Sequence, residues 1–177
     1  AMGFIMQLFL SIFHIGGELM DLQLGFSMAQ MYDPTTNSQV SVTGNILTIM
    51  YVLLFFITNS HLTLLAIAAK SYSVIPIGLG GVSSKIGVYV IELFGYILVY
   101  ALQLALPIIV TEILVEVAVG ILMRVVPNIN VFVVNMQLKV MVGLIVLLTI
   151  IPVLVRFLGK LNMIMLDRIG DVLTYFI

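Results

Sequence analysis

Apolar positions gather into five runs, residues 1–15, 46–57, 62–69, 86–123 and 131–158. Acids interrupt the fourth (Glu92, Glu112, Glu116) and bases the fifth (Lys139, Arg156). None of the runs alternates apolar and polar residues with a period of two. That argues against a barrel and leaves helices as the way to satisfy backbone groups in an apolar medium. Turn formers divide the runs: Thr58-Asn59-Ser60-His61 separates two short helices, the Gly-rich stretch Pro76 to Ser84 ends the second, and Pro127-Asn128 parts two long ones. The predicted order is helix, polar loop, short hairpin, Gly-rich linker, long hairpin and tail, an all-α chain of integral membrane type. Pro107 lies inside the helix expected from Glu92 to Met123, where it removes one backbone donor and predicts a kink.

One stretch breaks the pattern. From Met31 to Asn45 the chain reads MYDPTTNSQVSVTGN, a polar island with one charge, Asp33. Asp33-Pro34 followed by Thr35, Thr36, Asn37 and Ser38 favours a turn, because proline fixes φ and the short side chains bond to the local backbone. The first helix is therefore expected to stop near Tyr32. Irregular backbone at membrane depth must be buried in protein or line water, so the island reads either as a re-entrant pore loop or as an exposed connection.

Composition supports the membrane reading. The chain is 62% hydrophobic and 8% charged, with a mean hydropathy of +1.27, against about 25% charged residues in soluble domains. Seven Lys and Arg are matched by eight Asp and Glu, so no basic excess exists to neutralise nucleic-acid phosphates. With no cysteine, disulfides and thiolate metal sites are excluded while the compartment stays open. The opening AMGFIMQLFLSIFHIGG lacks the basic region and small-residue cleavage site of a signal peptide, and reads as the interior of a longer protein. Several apolar runs fall short of the roughly 20 residues a span needs, or reach it only by including an acid or a base. They are expected to be poor solitary spans that pack against partner chains.

The polar residues inside apolar runs are the candidate chemistry. Glu112 and Glu116, four apart, share a helix face, as metal-binding or proton-relay carboxylates do. A di-metal helical site would add a Glu-x-x-His pair, and neither His14 nor His61 stands in that spacing, so no metal and no cofactor is expected. Charges at membrane depth are costly, so Glu112, Glu116 and Lys139 should face protein or water. His14, Glu18 and Asp21 form a polar stripe on the first helix, fit to bind a proton, to pair with a partner subunit, or to mark the helix end leaving the apolar zone. Gly78, Gly80 and Gly81 miss the nucleotide-loop spacing at Ser83 and read as linker. Hydrolase and phosphate-loop signatures are missing, so an enzyme is not expected. The eleven methionines fit either core gap-filling or a pliable gasket.

Six blocks in order carry a resemblance: Gly17-Glu18-Leu19-Met20-Asp21-Leu22-Gln23-Leu24-Gly25-Phe26 with the Asp33-Pro34 loop, Asn59-Ser60-His61-Leu62, Pro76-Ile77-Gly78, Leu102-Gln103-Leu104-Ala105-Leu106-Pro107, Pro127-Asn128-Ile129-Asn130-Val131-Phe132, and Leu138-Lys139. The chain resembles the FliR/SctT family of type III protein export from residue 17 to about 160. Ser60 replaces the glycine usual in the Asn-Gly-His-Leu turn, and Asn135-Met136-Gln137 stands where Gly-Phe-Pro is common. The resemblance implies a single-copy subunit of an export gate at the inner membrane of the flagellar basal body. Its partners would be five FliP-like and four FliQ-like chains in a helical, cone-like channel, a FlhB-like switch protein, rod or FliE-like proteins, and unfolded export substrates. It implies a FliP-like part at residues 1–81, holding a pore-plug loop at about 31–45 and a short helical hairpin. A FliQ-like long hairpin and tail would follow at 82–177. The implied plug is Asp33, Pro34, Thr35, Thr36, Asn37, Ser38, Gln39, Val40, Ser41, Val42 and Thr43. Glu18, Asp21, Asn59, His61, Glu112, Glu116 and Lys139 become expected inter-subunit or buried polar positions.

Three functions compete on these grounds. A protein-conducting gate subunit without catalytic chemistry needs unlike partners. A small ion- or proton-coupled secondary transporter would use Glu112, Glu116 and Lys139 and would act alone or as a homo-oligomer. A purely structural scaffold would tolerate free change in the loop. The ordered blocks favour the gate, and Asn130-Val131-Phe132 leans towards the flagellar version over the injectisome.

Overall fold

The computed structural model of the chain describes residues 2–26, 41–74, 85–125 and 131–172, with the side chains of Val74, Lys85, Val131 and Phe132 left aside. Five helices run through them: α1 (Met2–Leu24), α2 (Val42–Ile57), α3 (Ser60–Val74), α4 (Lys85–Val125) and α5 (Val131–Val172). Among the described residues there is no strand. The Gly-rich linker, the Pro127-Asn128 turn and residues 27–40 of the polar island lie outside them.

Two expectations need correction. The first helix, expected to stop near Tyr32, is broken earlier: α1 ends at Leu24 because Gly25 takes φ +78°, the left-handed conformation that closes a helix and that glycine adopts without strain, while Phe26 is helical again and residues 27–32 lie outside the described residues. Three of the apolar runs also lie in helices long enough to span, while the two short runs stay too short singly. A helix ladder continues through polar side chains that break an apolar run, so α4 has 41 residues and α5 has 42. Leu93 to Thr111 within α4 carries no charged residue. By length and composition α1, α4 and α5 can each cross a membrane, and α2 with α3 qualify as a pair bent by 73° at their junction. At roughly 1.5 Å per residue α4 and α5 are about 60 Å long, twice the hydrocarbon thickness of about 30 Å. Both must extend well beyond the bilayer or lie against other protein. Through Pro107 α4 stays α-helical, and Thr111 Oγ1 donates to the Pro107 carbonyl at 2.8 Å.

Helix α1 lies at the centre, packed against α2, α4 and α5. Its buried positions Ile5, Phe9, Ile12, Phe13, Gly16, Gly17, Met20 and Leu24 recur at three- and four-residue steps, one stripe of a helix. On α4 the facing stripe is Tyr89, Leu93, Ile97, Ala101, Leu104, Ala105 and Ile108, and on α5 it is Leu154, Leu158, Leu161, Met165 and Ile169. Phe13 meets Tyr51 of α2 with ring centroids 4.7 Å apart. The pairs Glu116–Lys139, Glu112–Gly143 and Tyr89–Arg168 advance along α4 as they retreat along α5, so this hairpin is antiparallel.

Glycine sets how near the helices come. A Cβ on Gly17 would stand 2.2 Å from the Gly44 Cα, and one on Gly16 would stand 2.9 Å from Leu104 Cδ2 and 3.1 Å from the Ala101 carbonyl oxygen. Backbone cannot yield as a side-chain tip can, so α1 and α2 cross at a distance that only glycine permits. The prediction is that Gly17→Ala destabilises the folded chain by about 1–3 kcal/mol through forced separation of the two helices. Gly95→Ala, where an added Cβ meets nothing within 4 Å, should be neutral or mildly stabilising. Thermal unfolding of the detergent-purified variants tests the contrast, and equal midpoints would contradict it.

Candidate functional site

The polar island is pinned at its described end by a carboxylate. Asp21, in the last turn of α1, is 3% exposed. It accepts from Ser41 Oγ at 2.7 Å, from the Thr43 amide at 3.2 and 3.3 Å to its two oxygens, and from the Thr43 hydroxyl. Ser41 in turn caps α2, accepting from the Gly44 amide at 2.8 Å. A negative charge in the last turn of α1 opposes that helix's own dipole, and the first turn of α2 compensates because its free amides attract an anion. The clamp joins the last turn of α1 to the first turn of α2.

This placement trims the expected plug. Val42 and Thr43 are the first turn of α2, and Ser41 is its cap; the serine side chain takes the amide that would otherwise lack a partner. Val42 is exposed, while Ser41 and Thr43 are buried. Asp33, Pro34, Thr35, Thr36, Asn37, Ser38, Gln39 and Val40 lie outside the described residues, as do Met28 and Met31. The stripe expected on α1 splits: His14 and Glu18 are exposed, and only Asp21 is covered, because α2 begins beside that end of the helix.

The α2–α3 elbow holds a second polar cluster. Asn59 is exposed with φ +55° and makes the turn, its amide donating to the Phe56 carbonyl at 3.1 Å while its carbonyl accepts from Leu62 at 3.0 Å. Left-handed backbone is tolerated by asparagine among non-glycine residues, so the turn forms without glycine at position 60. Ser60 faces inward instead, 2.7 Å from the Thr58 hydroxyl, and accepts from Asn162 Nδ2 at 2.6 Å. The Tyr51 hydroxyl donates to Asn162 Oδ1 at 3.3 Å and lies 3.2 Å from Met165 Sδ. The His61 ring lies tilted by 41° against Phe56, centroids 5.3 Å apart, and its Nδ1 has no hydrogen-bond partner among the described residues. Tyr51 and Asn162 escaped the sequence reading, although an asparagine preceding the apolar stretch Met163 to Leu166 is a visible signal.

The carboxylates of α4 part company. Glu116 pairs with Lys139 of α5 at the hairpin surface. Glu112 is 0% exposed and sits in the apolar stripe one turn beyond Ile108, with neither carboxyl oxygen bonded among the described residues. Among those residues no group of three or more His, Asp or Glu is placed to hold a metal. The described residues offer a clamp, an elbow and a buried acid.

The described residues thus form a bundle of long apolar helices with a buried carboxylate clamped to the start of α2. Residues 1–164 match the family described as bacterial export proteins, family 1, and the chain belongs to that family. Among curated relatives, it is 32% identical over 173 residues to the flagellar biosynthetic protein FliR of Pectobacterium carotovorum subsp. carotovorum, covering 98% of this chain and 66% of that one. The flagellar biosynthetic protein FliR of Bacillus subtilis (strain 168) is 32% identical, with 88% and 62% covered. The Yop proteins translocation protein T of Yersinia pestis is 29% identical, with 87% and 60% covered. The chain thus spans about 60–66% of the length of these relatives.

Removing the clamp should loosen the base of the island. Asp21→Ala leaves the Thr43 amide and two hydroxyls without their acceptor, a loss of about 3 kcal/mol at a buried charged acceptor. Thr43 amide exchange with deuterium should then accelerate at least tenfold, about 1.4 kcal/mol, while the Asp21→Asn variant shows a smaller rise. Unchanged exchange in the alanine variant would mean that the carboxylate does not hold α2.

Proposed function

We infer that this chain is a subunit of the type III protein export gate, shaping and closing the channel through which unfolded proteins cross the inner membrane. The carrying observation is the family match over residues 1–164 together with relatives named for flagellar biosynthesis and for translocation. The clamped polar island supports the same reading. A loop of turn formers, held at its base by Asp21 and free of a large apolar face, can leave a channel at modest cost. Its tip, Asp33 to Val40, is the plug in this proposal, and Ser41 is the hinge.

Exposure supports a multi-chain assembly. Only 17% of the most apolar window of α4 and 11% of that of α5 is buried within the chain, leaving Ile91, Phe94, Leu114 and Leu148 among many apolar side chains to be covered by lipid or protein. The proposed covering is by FliP-like and FliQ-like chains, five and four per copy of this one, with a FlhB-like switch protein, rod or FliE-like proteins and export substrates as further partners. Residues 1–81 would act as the FliP-like part and 82–177 as the FliQ-like hairpin. No catalytic step is assigned to the chain, and the energy for transport would come from other components.

Two measurements test this. Tagged full-length chain, co-expressed with its neighbouring genes, should elute with a native mass of one copy plus several copies of two other small membrane proteins; a monomer or homo-oligomer would end the gate reading. Deleting Thr35 to Gln39 should raise leakage of small solutes through the assembled complex, and unchanged leakage would remove the plug role.

A further inference from the structure

Glu112 is the one group in the described core whose chemistry nothing above uses. It occupies the position after Ile108 in the buried stripe of α4, where every preceding position is apolar. Gly143 and Leu24 stand against its carboxyl, and the Glu116–Lys139 pair lies one turn along α4. Gly143 of α5 faces it so closely that an added Cβ would stand 2.9 Å from Glu112 Oε1, and the same Cβ would stand 1.9 Å from Leu24 Cδ2. The last side chain of α1 therefore fills the notch that Gly143 leaves and caps the carboxyl.

The charged groups nearby make no hydrogen bond to it, although the Lys139 ammonium lies close enough to act on its charge. Lys139 of α5 bonds to Glu116 one turn along α4, and on α1 Asp21 is committed to Ser41 and Thr43 while Glu18 is exposed. Among the described residues neither oxygen of Glu112 receives a hydrogen bond. An ionised carboxylate there would lose its hydration with no donor to replace it, whereas the neutral acid is only a weakly polar occupant of an apolar slot.

We propose that Glu112 is a proton-binding site capped by Leu24, loaded with a proton while the end of α1 is seated on Gly143 and emptied when that end lifts. Lifting Leu24 admits water to the carboxyl; the O–H bond breaks, the proton passes to water, and the carboxylate remains, solvated. Leu24 is the last residue of α1, next to the left-handed Gly25, so on the gate reading the protonation of Glu112 bears on how that end of α1 sits. The seated state holds one proton more than the lifted one, so raising the pH favours lifting and lowering it favours seating. This proposal rests on the gate reading for its consequence but not for the protonation itself.

The test uses the full-length chain in the membrane complex with which it purifies. Infrared spectroscopy of the closed complex at neutral pH should show a protonated-carboxyl stretching band that is lost in E112Q, whose amide mimics the neutral acid in shape. The same band should weaken in L24A, where water reaches the carboxyl. In planar bilayers the wild-type conductance should climb with pH by up to about tenfold per unit, the limit for one proton released, and E112Q should stay low and flat. Absence of the band in the wild-type complex would overturn the proposal, and so would an E112Q conductance that keeps the wild-type slope. Failure of the gate reading looks different, because loop deletion then leaves leakage unchanged while the infrared band persists.

Discussion

Close approach of α1 to its neighbours is the constraint on which the rest of the structure depends. In an apolar medium there is little hydrophobic gain in bringing helices together, so association rests on van der Waals fit and on hydrogen bonds. Fit is achieved here by removing side chains at three crossings: Gly17 against Gly44 of α2, Gly16 against Leu104 of α4, and Leu24 in the notch at Gly143 of α5. Each crossing lies on the same short helix. All three fall between Gly16 and Leu24, so the last turns of α1 fix how α2, α4 and α5 sit around it.

Polar side chains within this bundle act as pins because they lack water as an alternative partner. Asp21 gathers three donors at the start of α2, and Asn162 holds Ser60 and Tyr51 so that the elbow is tied to α5. The clamp and the elbow bracket α2 at its two ends. Glu112 differs from these pins in having no partner among the described residues, and a proton is the smallest ligand that satisfies it.

Length is one reason the proposed assembly suits this chain. Helices of 41 and 42 residues are about twice what a bilayer needs, and their apolar surface continues along most of that length. Val88 and Ile91 near the start of α4 and Ile121 near its end are all more than 60% exposed. A lone chain would leave part of this surface in water, where contiguous apolar area is unfavourable and marks contact with lipid or another protein.

Much of the fold was legible because apolar runs and turn formers report directly on local backbone preference. The all-α class, the elbow at Thr58 to His61 and the long hairpin follow from that pattern, and the six ordered blocks pointed to the family. Helix ends were less legible: α1 is broken at Gly25, ahead of the expected stop near Tyr32, and Val42 and Thr43 are helical rather than loop. A single left-handed glycine and a serine cap outweigh the hydropathy of their neighbours. Partner choice was not legible at all. His14, Glu18 and Asp21 share a helical spacing, yet only Asp21 is buried; Glu112 and Glu116 share another, yet only Glu116 finds a lysine. Sequence by itself determined which residues are apolar, where the chain turns and which family it joins, since these depend on local chemistry. Only the tertiary structure decided which acid is clamped, which is paired and which is sealed, because that depends on where a second helix begins and on how near a glycine lets it come.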